Sequence, residues 1–242
     1  MSWFKNWFNT KYYHLLYKNR DFKEAERFIE NLLTYLKPEK GARFFDLACG
    51  KGRHSIFLNK KGFDVVGADL SEESILSAQK SANKELKFIV HDMRKPLKGY
   101  SFDVVVNLFT SFGYFEDDNE DVEVLKSVVS VLEKDGFFVL DYLNAKQVVA
   151  KLKPQETIQR EHVTFDITKK IENAFVVKNI DFEDEGERYH FEERVKLIDE
   201  EQFESYFKLA GLQLLAKFGN YNLDKFDEDN SPRLILIAKK IG

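Results

Sequence analysis

Two glycines and three aspartates have the types and the spacing expected of a ligand site. Gly50 and Gly52 lie between a predicted strand and a predicted helix, and they match the first two glycines of the dinucleotide-binding fingerprint. Ser55 stands where that fingerprint requires glycine or alanine. The glycine turn alone is therefore a weak indication of a nucleotide-dependent oxidoreductase, and the neighbouring acids must decide the ligand.

Each of the three aspartates lies near the carboxyl end of a predicted strand. Asp46 lies just before the glycine turn, where its charge would repel a pyrophosphate and attract a ligand ammonium group. Asp69 closes the second strand, at a position where a carboxylate accepts hydrogen bonds from ribose hydroxyls. Asp92 ends the third strand beside the thioether of Met93. An adenosine with an attached amino acid satisfies these acids better than a dinucleotide does.

Alternating strand and helix patterns place these residues in one sheet. Predicted strands, rich in Val, Phe and Ile, cover Arg43–Ala48, Phe63–Ala68, Leu86–Val90, Phe102–Leu108 and Phe137–Leu143. Helical spacing precedes and separates them: from Asp21 to a stop at Pro38, from the glycine turn to Gly62, from a Ser71 cap to Ala82, and up to Gly136. This order predicts right-handed βαβ units and a mostly parallel sheet.

The pattern changes after Asn144, where helical spacing gives way to extended segments. Three stretches with partial alternation cover Thr157–Thr168, Ile171–Phe182 and Glu187–Leu197, with predicted turns at Lys169-Lys170 and Asp184–Gly186. These stretches predict an antiparallel meander. Helical spacing returns before Gly211, and the last two predicted strands, Leu212–Phe218 and Leu234–Ala238, suit an antiparallel closing hairpin.

Composition excludes several other classes of protein. The 242 residues are 43% hydrophobic and 32% charged, which is enough apolar sequence for one sizeable core. A single cysteine, Cys49, and the absence of zinc-ligand spacing predict no disulfide, no metal and a cytoplasmic location. Met1–Asn9 is interrupted by polar residues and no stretch reaches about 18 apolar residues, so we expect no signal peptide and no membrane span. A net charge of −4 without a basic block disfavours nucleic-acid binding.

Five motifs together resemble the class I S-adenosylmethionine-dependent methyltransferases. They are Phe45–His54, Val66–Ser71, His91–Met93, Thr110–Phe115 and Gly136–Asn144, and the similarity covers nearly the whole chain. Within that family the sequence is most similar to small-molecule methyltransferases that carry an antiparallel insertion after strand five and end in a phrase like Arg233–Ala238. The resemblance implies S-adenosylmethionine (SAM) as the cofactor, S-adenosylhomocysteine as the product and a small molecule as the methyl acceptor.

The resemblance also implies which residues would contact each part of the cofactor. They are Asp46, Ala48, Gly50, Gly52 and Arg53 for the methionine moiety, Asp69 for the ribose, Leu70, Asp92 and Met93 for adenine, and Asn107 to Phe109 for the methyl end. Each has a structural alternative. The two glycines could form a tight turn without a ligand, Asp69 could cap a helix, and Asp92 could be an ordinary loop acid. The apolar residues could belong to the core, and Arg53 could be an exposed surface residue.

The N-terminal segment is rich in aromatic residues, and in the resembling family this region folds over the cofactor as a lid. Tyr13 and His14 are candidates for a proton acceptor or a substrate hydrogen bond, with simple packing or a membrane-surface helix as alternatives. Asn107–Thr110 lacks the Pro-Pro-aromatic phrase of nucleic-acid amino methyltransferases, which leaves a small metabolite as the expected acceptor. Methyl transfer from a sulfonium is an in-line displacement that requires neither a metal nor a covalent nucleophile.

The expected fold is α/β: a doubly wound, Rossmann-like, mostly parallel seven-stranded sheet with an antiparallel closing strand, a small antiparallel insertion and an N-terminal helical lid. We expect one methyltransferase domain, with residues 1–42 as the lid, 43–144 and 199–242 as the cofactor-binding core, and 145–198 as the insertion. A non-catalytic SAM-binding module is the first functional alternative. A nucleotide-dependent oxidoreductase is the second, and Asp46 and Ser55 disfavour it. The sequence leaves the oligomeric state and the acceptor atom open.

Overall fold

The computed structural model describes residues 3–18 and 22–241, with Lys5 and Phe22 as backbone only. The helices are α1 (Trp3–Phe8), α2 (Lys11–Leu16), α3 (Phe22–Leu36), α4 (Arg53–Lys60), α5 (Glu72–Ala78), α6 (Asp118–Val131), α7 (Ala145–Ala150) and α8 (Glu200–Ala210). The strands are β1 (Arg43–Leu47), β2 (Asp64–Asp69), β3 (Leu86–Val90), β4 (Phe102–Asn107), β5 (Leu132–Leu143), β6 (Gln155–Arg160), β7 (Val163–Glu172), β8 (Phe175–Asp184), β9 (Glu187–Lys196), β10 (Leu212–Phe218) and β11 (Arg233–Lys240). Met1, Ser2 and Asp21, the predicted start of a helix, lie outside the described residues.

The larger sheet has seven strands in the order β10-β11-β5-β4-β1-β2-β3. The run from β5 to β3 is parallel, whereas β11 is antiparallel to both of its neighbours. Phe44 and Phe45 of β1 enter two different buried clusters, because successive side chains of a strand point to opposite faces. Helices α3, α4 and α5 cover one face, and α6 and α8 cover the other. The predicted doubly wound α/β fold is confirmed.

The smaller sheet is antiparallel, as predicted, but it has four strands where we predicted three extended segments. The predicted segment Thr157–Thr168 is divided by a turn at residues 161–162 into β6 and β7. The predicted turn at Lys169-Lys170 is wrong, because these residues pair with β8 and the chain turns at residues 173–174 instead. Glu161 and Asn173 have positive φ, and neither turn contains glycine or proline, so both lack the strongest sequence signal for a turn.

The helix before β5 ends earlier than predicted. We expected it to close near Gly136, but α6 ends at Val131, and Leu132 already pairs with Phe102 of β4. Gly136 lies inside β5, where an added Cβ atom would come within 3.1 Å of the carbonyl oxygen of Asp103. The glycine therefore permits close backbone approach in the sheet, and it does not mark a helix end. Likewise the α5 helix ends at Ala78 and continues only as a 3₁₀ turn.

The N-terminal helical pair, α1 and α2, packs against the smaller sheet. Trp7, Tyr12 and Leu16 form a buried cluster with apolar side chains of β7 and β8. The Trp7 indole donates a hydrogen bond to Glu193 at 2.6 Å, and the Tyr12 hydroxyl donates to Asp184 at 2.8 Å. These contacts fix the pair on the smaller sheet. No helix in the described ranges is long and apolar enough to cross a membrane.

Candidate active site

The carboxyl ends of β1 to β4 and the N-terminal helical pair enclose a cavity of about 590 Å³, which we call the main cavity. Most of the predicted site residues line it: Tyr13, His14, Ala48, Gly50, Arg53, Asp69, Leu70, Asp92, Met93 and Phe109. Its volume lies within the range of about 300–1,000 Å³ that is usual for small-molecule and cofactor sites. Asp46, Gly52 and Asn107 are not among the lining residues and lie behind the wall.

The turn between β1 and α4 needs its two glycines for different reasons. Both have a left-handed backbone conformation, with φ of 56° at Gly50 and 79° at Gly52. An added Cβ atom at Gly52 would lie 2.5 Å from the ring of Phe88, whereas nothing lies within 4 Å of such an atom at Gly50. Gly52 therefore serves close packing behind the turn, and Gly50 leaves space on the cavity side. Ala48 also adopts a positive φ of 62°, which turns the backbone towards the cavity.

Two polar residues behind the wall hold the turn and the neighbouring strand end. Asp46 is buried, and its carboxylate accepts hydrogen bonds from the backbone N–H and the hydroxyl of Ser55, at 3.1 and 2.6 Å. Burial raises the pKa of Asp46 to about 6. The buried Asn107 amide donates to the carbonyl oxygens of Leu47 and Ser111, at 2.9 and 3.2 Å. Both residues fix the geometry of loops that border the main cavity.

Asp69 lies on the cavity wall with its carboxylate held in place by two backbone groups. Gly50 N–H donates to Oδ2 and Ser71 N–H donates to Oδ1, each at 2.8 Å. Burial raises the pKa of Asp69 despite these bonds. The N-cap of α5 is Ser71, whose hydroxyl accepts from Ser74 N–H, so Asp69 is not required as the cap of this helix. Each carboxylate oxygen keeps a lone pair that can accept from a ligand.

Asp92 is held by Arg94, which was not among the predicted site residues. Arg94 donates from Nε and Nη2 to the two oxygens of Asp92, at 3.0 and 2.6 Å, and from Nη1 to Glu120 at 2.6 Å. Hydrogen bonding to Arg94 lowers the pKa of Asp92, so this carboxylate stays ionised. The fork gives the Asp92 side chain a fixed orientation beside Met93.

Phe109 joins the cavity wall to a network of charged and aromatic residues. The guanidinium of Arg53 lies 3.8 Å from the centre of the Phe109 ring, and Tyr221 stacks on that ring at 5.4 Å. Phe109 N–H donates at 2.8 Å to the buried carboxylate of Asp141, which also accepts from Tyr221 at 3.2 Å and from Arg233 at 2.7 Å. Phe109 has a positive φ of 61°, and these contacts hold it in that conformation.

The N-terminal helical pair closes the opposite side of the main cavity. Tyr13 and His14 of α2 both line it, and the Tyr13 ring packs against Trp7, Phe8 and Tyr17. Asn9, between α1 and α2, accepts from the Ser71 hydroxyl at 3.0 Å and from Glu73 N–H at 3.2 Å. The pair therefore contacts the start of α5 as well as the smaller sheet, and it covers the strand ends that carry the acids.

Comparison with known proteins fits this geometry. A family model described as a methyltransferase domain matches residues 38–208. The chain belongs to this methyltransferase family. The prediction of a methyltransferase made from the motifs is confirmed, and the oxidoreductase alternative does not fit the family.

Individual relatives of this methyltransferase extend the match. YqeM of Bacillus subtilis (strain 168), which bears a methyltransferase name, is 33% identical over 218 residues, covering 84% of this chain and 85% of the relative. Glycine/sarcosine N-methyltransferase of Aphanothece halophytica is 33% identical over 130 residues, covering 52% of this chain and 48% of the relative. A crystal structure of a SAM-dependent methyltransferase from Clostridium acetobutylicum matches with a TM-score of 0.82 at 23% identity, over 96% of both chains. This last match shows that the fold is shared.

Several residues of the methyltransferase cavity were not among the predicted site residues, although some lie in the predicted motifs or in the aromatic N-terminal segment. Asp141, Tyr221 and Arg94 support lining residues, while Tyr17 and Tyr114 line the cavity themselves. Asp141 had a detectable signal, because it is a carboxylate inside an otherwise apolar strand pattern. Tyr221 had none, since it lies in a polar loop far along the chain and reaches the site only through the closing hairpin.

Proposed function

We propose that this chain transfers a methyl group from SAM to a small molecule by in-line displacement, releasing S-adenosylhomocysteine. The observation that carries the proposal is the position of Asp69. Its oriented carboxylate lies on the wall of the main cavity, which Gly50, Asp92 and Met93 also line. A nucleoside with an amino-acid side chain has donors and an apolar base at matching places. The methyltransferase family supports this choice of cofactor.

The proposed contacts are those that the resemblance implies, and the positions of the residues on the cavity wall support them. Asp69 would accept from the ribose hydroxyls, and Asp92 would accept from the exocyclic amine of adenine, with Leu70 and Met93 on the two faces of the base. Gly50 and Ala48 would border the methionine part, with Arg53 near its carboxylate, and Phe109 would lie near the methyl end. For Asp46, Gly52 and Asn107 we propose a positioning role, since they support the turn from behind the wall.

The chemistry requires orientation and dryness more than reactive side chains. The methyl group moves from sulfur to the acceptor atom, the electron pair of its bond stays on sulfur, and the sulfonium charge disappears. Enclosure by the N-terminal helical pair would exclude water and hold the two reacting atoms in line. Aromatic rings on the wall, including Tyr13, Tyr17 and Tyr114, can attract a sulfonium by about 0.5–2 kcal/mol.

We infer that the N-terminal helical pair acts as a lid and that the acceptor is a small molecule. That pair lines one side of the cavity, and a relative that matches about half of the chain is named for methylating glycine and sarcosine. Tyr13 and His14 are the proposed groups for a hydrogen bond to the acceptor or for taking its proton. We further propose that the chain forms one catalytic domain in which residues 145–198 are an accessory insertion. The single cysteine is buried and unpaired, which fits the proposed cytoplasmic location.

Ligand-dependent unfolding tests the cofactor directly. S-adenosylhomocysteine at 100 times its dissociation constant should stabilise the chain by about 2.7 kcal/mol, and NAD should have no effect. Labelled SAM incubated with pools of metabolites should then transfer its methyl group to one pool. Stabilisation by NAD and not by S-adenosylhomocysteine would overturn the proposal. Binding of the product without any transfer would favour the non-catalytic module instead.

A further inference from the structure

A second cavity lies between α7 and one face of the smaller sheet, and the proposed reaction does not use it. Its volume is about 460 Å³. We call it the lysine groove, and its lining residues are Gln147, Val148, Lys151, Leu152, Lys153, Lys169, Val176, Lys178, Glu193, Val195 and Pro232. None of these residues lines the main cavity.

The lysine groove carries an excess of positive charge in a chain whose net charge is −4. Two of its lysines have carboxylate neighbours: Lys169 lies 2.6 Å from Glu156, and Lys178 lies 3.5 Å from Glu193. Among the described residues no carboxylate lies within 4.0 Å of Lys151 or Lys153, so neither lysine forms a direct ion pair, although Glu156 is near enough to attract Lys153. The remaining lining is mostly apolar. Such a surface suits an anionic group attached to an apolar body.

The pairing register of the smaller sheet places two lysines, Lys169 and Lys178, directly opposite each other. Lys178 of β8 lies opposite Lys169 of β7 on one side and opposite Glu193 of β9 on the other. The adjacent rows on the same face are apolar, because Ile180 is packed under the N-terminal helical pair and Val176 lies in the groove. Like charges directly opposite each other destabilise a sheet. An anion between the lysines and α7 would remove that repulsion.

Lys178 and Glu193 also anchor the N-terminal helical pair. Lys178 Nζ lies 2.5 Å from the Tyr17 hydroxyl, which lies 2.8 Å from both carboxylate oxygens of Glu193. Glu193 also accepts the hydrogen bond from the Trp7 indole at 2.6 Å. Because Tyr17 lines the main cavity, Lys178 and Glu193 connect the groove to the wall of the proposed active site.

We propose that the lysine groove binds a small anion, with a phosphate or carboxylate group on an apolar body, and that its occupancy weakens the anchoring of the N-terminal helical pair. A bound anion draws the ammonium of Lys178 away from Tyr17 and repels the carboxylate of Glu193. The pair then holds less firmly over the main cavity. Linkage makes the effect reciprocal, so the anion and a ligand enclosed by the pair oppose each other's binding. This coupling rests on the proposed function, whereas the groove itself does not.

Phenyl phosphate is a suitable probe, with inorganic phosphate and phenol as its anionic and apolar halves. At constant ionic strength, calorimetry on the full chain should show phenyl phosphate binding more tightly than inorganic phosphate, and phenol not binding. The double variant Lys151→Ala/Lys153→Ala should weaken phenyl phosphate binding at least tenfold. The control Lys126→Ala/Lys208→Ala removes the same charge from exposed helical positions outside the groove and should leave the affinity unchanged. Equal affinities for the two double variants, or no binding to the native chain, would overturn the proposal that the lysine groove binds an anion.

The coupling has its own readout. Both tryptophans of the chain, Trp3 and Trp7, lie on α1, so intrinsic fluorescence reports on the N-terminal helical pair. At a concentration that just saturates the native chain, phenyl phosphate should change this fluorescence and weaken S-adenosylhomocysteine binding about fivefold, and both effects should be clearly smaller in Lys151→Ala/Lys153→Ala. An unchanged affinity for S-adenosylhomocysteine would overturn the coupling between the two cavities, whereas anion binding in the lysine groove would still stand. Failure of the product to bind under any condition would overturn the proposed function, and the direct phenyl phosphate titration would still decide the groove.

Discussion

Replacing Asp69 with asparagine tests the centre of the proposed site. The native carboxylate accepts one backbone N–H on each oxygen, at 2.8 Å from Gly50 and Ser71, and would accept a ribose hydroxyl as well. Asparagine keeps the shape but removes the charge and one acceptor. A hydrogen bond to a charged group contributes about 1.5–3 kcal/mol, so product affinity should fall by roughly 13- to 160-fold. The amide NH₂ must also face a backbone donor, so a loss of stability should accompany the change.

Calorimetry with S-adenosylhomocysteine and its 2′-deoxy analogue measures this effect. The native chain should discriminate between the two ligands, and Asp69→Asn should lose most of that discrimination. Asp64→Asn is the matched control, because Asp64 is an exposed aspartate at the other end of the same strand β2. The control should bind both ligands as the native chain does. If Asp69→Asn discriminates between them as well as the native chain, Asp69 does not hold the ribose and the reasoning fails.

Three further outcomes follow from the same structure. Asp141→Asn breaks the buried pair with Arg233 and should lower the free energy of unfolding in urea by about 3 kcal/mol; a change below about 0.5 kcal/mol would show that this pair contributes little. Burial raises the pKa of Asp46 from 3.8 to about 6, so the folded chain holds this proton more tightly than the unfolded chain does. The free energy of unfolding should therefore fall by about 3 kcal/mol as the pH rises from 3.8 to 6, and Asp46→Asn should not show this fall. Gly52→Ala should destabilise the chain more than Gly50→Ala, as thermal unfolding will show, while Gly50→Ala should weaken product binding more; the reverse order would contradict the two roles assigned to the glycines.

The doubly wound, mostly parallel sheet and the glycine turn beside the candidate site were predictable from sequence for clear physical reasons. Short apolar strands separated by amphipathic helices leave few other topologies, and glycines at a strand-to-helix turn mark positive φ. Asp69 was predictable because a strand end fixes where its side chain must lie. The five motifs taken together then identified the methyltransferase family.

Other parts depended on contacts that no local pattern reports. The central strands are buried on both faces, so their alternation is hidden and the sequence could not tell that Asp46 and Asn107 lie behind the wall. Arg94 was overlooked because its role appears only once Glu120 is brought beside it. The turn at residues 161–162 lacks glycine and proline, which merged two strands into one predicted segment.

The distance along the chain between Trp7 and Glu193 has a consequence for biosynthesis. Their hydrogen bond joins residues 186 positions apart, so α1, which is synthesised before β1, finds this partner only after β9 has been made. The seven-stranded sheet faces the same delay only at its last two strands, since β1 to β5 pair with neighbours made soon before or after them. Until β9 has been synthesised, Trp7 cannot pack against Phe191 or donate to Glu193. We therefore expect a chaperone to cover Trp7 until β9 emerges.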